Sequence, residues 1–229
     1  MADLLYAFQK RNEYYEDTIK NTIESMSKEI EEAIGLLVDS ITTGYSVRFL
    51  GAGRARLAAT MPANRLCHAG AQVSIMSDTI PLPNTRLGGY VFAVSASGTS
   101  VDVIQAMIKA RKRRFGGEER GRKIAPITIP IVGISALTGI THDKGDKEKT
   151  QKNTDLCNSF KEACDIFIHI QVNDAMKSEY NYLADNEEHV IMELLDLMVA
   201  CAIKRAGIKI LHEDLGPTGA VFAESEVER

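Results

Sequence analysis

A cluster of hydroxyl side chains stands where a strand-like run passes into a helical one, in the stretch "VSASGTSVDVI". Four of them fall within six residues around Gly98, namely Ser95, Ser97, Thr99 and Ser100. Hydroxyl groups and the free N–H groups at a helix start can together encircle a phosphate. Ser and Thr are also common helix N-caps, but one cap needs only one hydroxyl. The density of hydroxyls therefore favours a phosphate-binding loop over a cap alone.

A second strand–turn–helix stretch, "VRFLGAGRARLAATMPANRLCHAG", contains the glycine pair Gly51 and Gly53. Arg56 occupies the place of the third glycine of a dinucleotide fingerprint, and the lysine–hydroxyl pair of a P-loop does not follow. Two interpretations remain. One is an anion site at the helix start, formed by Gly53 with Arg54 or Arg56 supplying positive charge. The other is a tight turn that binds nothing.

The segments that would position these residues alternate between strand and helix character. Five short runs rich in Val, Ile or Phe predict strands at 46–51, 71–76, 90–95, 129–135 and 165–170. Helical segments fall between most of them, including 54–69 and 100–114. Such alternation predicts an α/β fold with a parallel sheet covered by helices on both faces.

Helices are also predicted at both ends of the chain. Apolar residues recur at helical spacing over 4–40, which predicts one long amphipathic N-terminal helix. A final helix is expected over 186–205, where Asp185 and Glu188 have the spacing of a capping box. Two charge-rich segments, 111–123 and 141–155, are interpreted as solvated loops. The first is basic, and contact with a polyanion is its alternative reading.

The bulk composition narrows the class of protein. The chain has 229 residues and a net charge of −4, so no overall positive field draws it to nucleic acid. No uninterrupted apolar run is long enough to span a bilayer, and the N-terminus lacks the apolar core of a signal peptide. The four cysteines show no CxxC spacing, which gives zinc or a redox pair little support. We expect a cytoplasmic protein with reduced thiols and without membrane or nucleic-acid partners.

Two of these stretches resemble the sugar isomerase (SIS) domain family. "GAGRARLAATMPANRLCHAG" is similar, without gaps, to the family segment that opens GxGRS and closes MRLMHLG, and "SASGTS" resembles the S-x-S-G-x-T phosphate loop. The R-L-x-H-x-G ending points more narrowly to the 6-phospho-3-hexuloisomerases. The resemblance covers most of 45–112 and returns near 183–206. It divides the chain into an N-terminal helical segment, 1–44, and a SIS domain, 45–229, with its C-terminal helix and tail.

The resemblance implies a three-layer α-β-α sandwich with a five-stranded parallel sheet. It also implies a sugar phosphate bound at the carboxyl ends of the strands, near a subunit interface, without metal or cofactor. The phosphate-loop hydroxyls map onto Ser95, Ser97 and Ser100, with serine in place of the family's threonine at 100. Ala55 replaces the serine of GxGRS and removes one expected hydroxyl. The C-terminal tail, 212–229, does not match the tail of the hexuloisomerases.

The catalytic base is also carried over from the resemblance. Hexuloisomerases have a glutamate eight residues before an aspartate in the last helix, and Asp196 leads back to Glu188. Such a base moves a proton between adjacent carbons through an enediolate. Helical periodicity by itself does not separate Glu188 from Glu187, and Glu188 has the capping role as its alternative. The family's histidine falls on His68, whose alternatives are a packed histidine and a proton shuttle, which could reach a neighbouring subunit's site.

The sequence thus predicts an isomerase that interconverts 3-keto and 2-keto hexulose 6-phosphates. A non-catalytic sugar-phosphate-binding module and an isomerase of another phosphosugar, such as a heptose or an amino sugar, are the alternatives. The amphipathic segment 4–40 further predicts a homo-oligomer, either a dimer or a tetramer.

Overall fold

The computed structural model of the chain describes residues 2–76, 89–114, 117–119, 122–124, 129–138, 147–172 and 187–208. Its helices are α1 (Ala2–Ser25), α2 (Ser27–Thr43), α3 (Gly53–His68), α4 (Val101–Arg114), α5 (Lys147–Ala163) and α6 (Glu187–Arg205). Its strands are β1 (Ser46–Gly51), β2 (Val73–Ile75), β3 (Gly89–Val94), β4 (Gly117–Glu119), β5 (Arg122–Ile124), β6 (Ile131–Ser135) and β7 (Ile166–His169).

Five of the strands form one parallel sheet in the order β2-β1-β3-β6-β7. Each of the five predicted strand segments overlaps one of these strands, so the predicted parallel α/β fold is confirmed. The register pairs Gly51 with Val94, the last residues of β1 and β3. The loops that follow these two strands therefore leave the sheet side by side.

Helices cover both faces of the sheet and bury two apolar cores. Residues of α1, α2, α3 and α6 pack against one face, where Phe49 and Phe92 are fully buried with their ring centroids 5.6 Å apart. Residues of α4 and α5, including Met107 and Phe160, pack against the other face. The strands between two helical layers are buried on both sides, as their continuous Val, Ile and Phe content predicts.

The prediction of a single helix over 4–40 is wrong. The helix is interrupted at Met26, whose φ of −119° and ψ of 26° lie outside the helical region, and α2 starts at the next residue. Both segments are amphipathic, so the apolar periodicity continues across the break and does not reveal it. Ile34 and Leu37 of α2 are buried in the core that also contains α6, whereas Tyr6 of α1 is about half exposed.

The two charged segments are not simply loops. Residues 147–155 belong to α5, and residues 111–114 belong to α4, while β4 and β5 pair as a small antiparallel ribbon. The buried residues of α5 are Cys157, Phe160 and Ala163, all beyond the charged segment. The first half of the helix is thus solvated, and its composition alone does not distinguish it from a loop. Residues 139–146 lie outside the described residues.

Two further observations concern the helices. The final helix is confirmed at Glu187–Arg205, whereas the capping partner Asp185 lies outside the described residues. Helix α3 continues through Pro62, which is buried within it. In the described part of the chain, no helix has the length and apolar character needed to cross a membrane.

Candidate functional site

Three loops meet at the carboxyl edge of the sheet, because β1, β3 and β6 are adjacent and parallel. Ala52 follows β1, residues 95–100 follow β3, and residues 136–138 follow β6. The backbone N–H of Ser95 donates to the carbonyl of Ile134 at 3.1 Å, which continues the β3–β6 pairing into the loop. Ligands bind at this edge in open α/β sheets.

The four hydroxyl groups of the loop 95–100 form two pairs. Ser95 Oγ and Ser100 Oγ are 3.1 Å apart, and Ser97 Oγ and Thr99 Oγ1 are 2.9 Å apart. The N–H of Gly98 donates to Ser95 Oγ at 3.1 Å. Ser95 is buried, while the other three hydroxyl residues are half-buried. The loop thus places polar groups from both ends close together, as a phosphate cradle requires.

The loop also forms the start of α4. The carbonyl of Ser100 accepts the first helical hydrogen bond, from the N–H of Ile104 at 3.0 Å, which makes Ser100 the N-cap by its backbone. The N–H groups of the first turn of a helix have no acceptor within the helix and carry partial positive charge. The loop therefore combines hydroxyl groups with a helix start, and phosphate binding by this loop stays a prediction.

Residues behind the loop fix its shape. The hydroxyl of Ser135 donates to the carbonyl of Ala96 at 3.3 Å and accepts the N–H of Leu137 at 3.0 Å. The thiol of Cys157 donates to the carbonyl of Ser97 at 3.3 Å. These contacts with β6 and α5 hold the loop in one conformation, and a loop held in this way loses less conformational freedom if a ligand binds.

The candidate base Glu188 lies in the first turn of α6 and faces the first turn of α3. Its Oε1 is 3.4 Å from Nη2 of Arg54, one residue after Gly53. Its side chain is 18 % exposed, whereas that of Arg54 is 63 % exposed. Since α3 follows β1, and β1 adjoins β3, this ion pair places Glu188 at the same edge of the sheet as the hydroxyl loop.

The neighbouring carboxylates differ from Glu188. Glu187 is only 5 % exposed and lies on the buried face of α6, as the helical angle predicts. Glu193 is about half exposed and pairs with His189 at 3.4 Å. Among the described residues, Glu188 is the acidic residue that contacts the start of α3 through an ion pair.

Asp196 forms a second ion pair between the same two helices. Its Oδ2 is 2.9 Å from Nη1 of Arg65. Burial raises the pKa of Asp196, and the positive charge of Arg65 counteracts part of that rise. Asp196 is the aspartate that lies eight residues after Glu188, at the spacing seen in the resembling family.

His68 is the last residue of α3, whereas Arg54 lies in its first turn. A helix rises 1.5 Å per residue, so the two residues are about 20 Å apart along the helix axis. One copy of the chain therefore does not bring His68 together with Glu188. A role of His68 in proton transfer remains a prediction that requires the site of a second copy.

The contacts of Arg54 with Glu188 and of Ser135 with Ala96 were not predicted. Their partners are far apart in sequence and show no motif spacing. Ser135 was a signal, because it is a hydroxyl residue at the carboxyl end of β6, as Ser95 is at the end of β3. Among the described residues, no group of three or more His, Cys, Asp or Glu side chains is arranged to hold a metal ion.

Comparison with known protein families and with curated proteins finds no match. Solved structures do match. An E. coli CFT073 protein in complex with a phosphosugar aligns with a TM-score of 0.59 and 14% identity, over 90% of this chain and 93% of that one. A Methanococcus jannaschii protein also aligns, and its structure led to the inference of a 3-hexulose-6-phosphate isomerase function. The alignment has a TM-score of 0.57 and 18% identity, over 85% of this chain and 90% of that one.

The phosphoheptose isomerase of Neisseria gonorrhoeae also aligns, with a TM-score of 0.53 and 13% identity, over 90% of this chain and 97% of that one. The alignments span nearly the whole of each partner. At these identities they show the fold: a five-stranded parallel sheet flanked by helices, as in phosphosugar isomerase structures.

Proposed function

We propose that this chain is a sugar-phosphate isomerase that interconverts 3-keto and 2-keto hexulose 6-phosphates. The observation that carries the proposal is the position of Glu188 at the edge where the hydroxyl loop lies. The loop and the start of α4 bind the phosphate, and Gly53 at the start of α3 adds backbone N–H groups. Glu188 removes a proton from one carbon and returns it to the next through an enediolate. The reaction needs no metal or cofactor.

The fold neighbours support the general part of this proposal, namely that the chain is an isomerase of a phosphorylated sugar. Two of them are described by their names or inferred functions as isomerases of phosphorylated sugars, and a third holds a phosphosugar. Fold likeness at such low identity does not choose the sugar. An isomerase of a heptose or amino-sugar phosphate is therefore tested beside the hexulose reaction. A non-catalytic sugar-phosphate-binding module is the second candidate, favoured by Ala55, which is buried where the resembling family has serine.

A coupled assay with hexulose 6-phosphates and other sugar phosphates tests the enzyme proposal. Glu188→Gln keeps the shape of the side chain and removes the proton acceptor, so kcat should fall by ~10²–10⁴-fold. Glu193→Gln is the matched control, because it neutralises an exposed carboxylate of the same helix. A folded wild-type protein that is stabilised by sugar phosphates but turns none of them over would favour the binding module.

Ser97→Ala tests the phosphate loop. A phosphate contact is made in both the ground state and the transition state, so its loss should mainly raise KM and change kcat little. Ser159→Ala, which removes an exposed hydroxyl on α5, should leave both constants unchanged. An unchanged KM for Ser97→Ala would contradict phosphate binding by this hydroxyl.

We further propose that the protein is a homo-oligomer. Helix α1 exposes half or more of Leu5, Tyr6 and Phe8, an apolar group of the kind that a second subunit covers. A second copy could also bring its His68 to the site. Sedimentation or light scattering should give a dimer or a tetramer, and a monomer mass at every concentration would refute the proposal.

A further inference from the structure

The loop that follows β6 contains a leucine in an unusual backbone conformation. Leu137 has a φ of +54°, in the left-handed region that L-residues disfavour. Within the ranges that the structure describes, it is the one residue other than glycine with a positive φ. Such a conformation persists where the surrounding contacts require it, and it is frequent at sites that bind a ligand. The contacts of Leu137 therefore indicate the role of this conformation.

Those contacts lead to the hydroxyl loop, residues 95–100. A Cβ added to Gly98 would lie 2.6 Å from Cδ2 of Leu137, so the leucine side chain packs directly against that glycine. The hydroxyl of Ser135 accepts the N–H of Leu137 at 3.0 Å, and its Oγ lies 3.2 Å from the same Cβ position. Leu137 is only 8 % exposed, which leaves its side chain little room to move away. The loop after β6 thus presses against one point of the hydroxyl loop.

Gly98 is the residue of the hydroxyl loop whose conformation most needs such support. Its φ is +72°, and a glycine adopts other backbone conformations with similar ease. Ser97 and Thr99 stand on either side of it, with their hydroxyl oxygens 2.9 Å apart. Rotation of the backbone at Gly98 would separate these two hydroxyl groups. Side chains packed against Gly98 therefore keep the hydroxyl pair in place.

The left-handed backbone of Leu137 is explained by the same packing. Its N–H is held by Ser135, and the ring of His169 on β7 makes a hydrogen bond with the backbone of the preceding residue, Ala136. With the N–H held, the φ angle of the residue sets the direction of its Cβ. A residue with a negative φ at this position would direct its side chain away from Gly98. The backbone strain is thus what places a large apolar side chain against the glycine.

Resting on phosphate binding by the hydroxyl loop, which is part of the proposed function, we infer that Leu137 is a positioning residue for that loop. Its side chain holds Gly98 in the left-handed conformation, and the hydroxyl and N–H groups on both sides of Gly98 then keep the arrangement that a phosphate needs. Leu137 acts on the ligand only through the loop. A loop ordered in advance binds more tightly, because less conformational freedom is lost on binding.

Titration of the full chain with inorganic phosphate and with a 2-keto hexulose 6-phosphate tests this role. Leu137→Ala removes the side chain from Gly98 and leaves the backbone contact with Ser135. We expect the Kd for both ligands to rise by about 5- to 30-fold, the effect of ordering the backbone of one residue on binding. Leu137→Gly should bind as weakly. Leu137→Met keeps a long apolar side chain, and its Kd should stay within about threefold of wild type.

Turnover of a sugar phosphate that the wild type converts gives a second readout. The phosphate is bound in both the ground state and the transition state, so Leu137→Ala should raise KM by about the same factor as Kd. We expect its kcat to stay within about twofold of wild type. A lower kcat with an unchanged KM would mean that Leu137 acts on the chemical step, which contradicts the inference.

The backbone strain is tested without any ligand. Alanine usually gives a more stable protein than glycine, but at a left-handed position the order is reversed. Leu137→Gly should therefore melt about 2–4 °C above Leu137→Ala. A glycine variant that melts at the same temperature as the alanine variant, or below it, would show that residue 137 is not strained and would overturn the inference.

Leu37→Ala is the matched control. Leu37 is a fully buried leucine in the second half of α2, and α2 leads to the amino end of β1, at the edge of the sheet opposite to the hydroxyl loop. This variant should have a lower melting temperature, but the Kd of its folded form for phosphate should stay within about twofold of wild type. A Kd raised as much as in Leu137→Ala would replace the positioning role by general loosening of the core.

The remaining outcomes separate this inference from the proposed function. If Leu137→Ala binds inorganic phosphate like wild type but the hexulose phosphate more weakly, Leu137 contacts the sugar and does not position the loop. Wild-type affinity of Leu137→Ala for both ligands overturns the inference alone and leaves the proposed function standing. A wild type that binds neither ligand overturns phosphate binding by the loop, and this inference with it. A wild type that binds both ligands but converts no sugar phosphate overturns the isomerase proposal, and the binding results for Leu137 still decide the inference.

Discussion

Gly98→Ala is the substitution that most directly tests the shape of the hydroxyl loop. Gly98 has a φ of +72°, in the left-handed region that L-residues disfavour. A Cβ added there would lie 2.6 Å from Cδ2 of Leu137 and 3.3 Å from Sγ of Cys157. Both neighbours are buried, so neither can move away into solvent. The substitution therefore adds backbone strain and crowding at the same point.

The expected cost follows from these two effects. A left-handed backbone costs an alanine about 1–2 kcal/mol, and overpacking a buried site costs about 1–3 kcal/mol. We expect Gly98→Ala to lower the free energy of unfolding by about 2–5 kcal/mol. Gly44→Ala is the matched control, because Gly44 has a φ of +77° and a Cβ there meets no atom of the described residues within 4 Å. The control should show only the backbone strain, about 1–2 kcal/mol.

Urea unfolding of the wild type and both variants measures the difference in their free energies of unfolding. The rise in melting temperature on adding a sugar phosphate measures whether the loop still binds the ligand. Gly98→Ala should lose most of the stabilisation by ligand, whereas Gly44→Ala should retain it, since Gly44 ends α2 and is remote from the loop. Equal destabilisation by the two substitutions would refute the crowding argument. Undiminished ligand stabilisation in Gly98→Ala would refute the role of this loop in binding.

Three other measurements test the packing and the buried ionisable groups. Gly133→Ala should lower the free energy of unfolding by about 1–3 kcal/mol, because its Cβ would crowd the sulfur of Cys164 and approach the ring of Phe160 to 3.0 Å; a urea midpoint equal to wild type would contradict this. Burial lowers the pKa of His169, so stability should fall as pH drops below the ordinary histidine range, and a pH series of melting temperatures should be flatter for His169→Asn. Burial raises the pKa of the Cys157 thiol and raises that of Cys164 to about 12, so an alkylating reagent at neutral pH should modify two of the four cysteines of the native protein, Cys67 and Cys201.

Strands and the hydroxyl loop were predictable because their evidence is local. A strand buried on both faces, such as Gly89–Val94, is a continuous apolar run, and Ser95 follows it directly. The break at Met26 was not predictable, because α1 and α2 have the same periodicity. The first half of helix α5 was predicted as a loop, because its side chains are solvated and its charge is dense. Local composition reveals a helix through its buried apolar residues, and the exposed part of a helix has few of them.

The candidate site was predictable in its parts but not in its contacts. The hydroxyl residues stand together in the sequence, whereas Arg54 and Glu188 are more than a hundred residues apart and meet only through the packing of α3 on α6. Glu188 was chosen over Glu187 by resemblance alone. The structure now gives them different surroundings: Glu187 is in the buried face, and Glu188 is at the edge that meets Arg54.

The packing of these two helices also gives the eight-residue spacing of Glu188 and Asp196 a physical reason. Arg54 and Arg65 are eleven residues apart, which is three turns of a helix, so they share the face of α3 that meets α6. Each contacts one of the two carboxylates, and α3 and α6 therefore run in the same direction. Exposed ion pairs contribute only about 0–1 kcal/mol, so the register is set by the apolar side chains between the helices, among them Leu66. The apolar contact fixes how α3 and α6 are aligned along their length, and this alignment places each carboxylate opposite one arginine. Glu188 lies at the edge of the sheet because its partner Arg54 stands at the start of α3, which begins there.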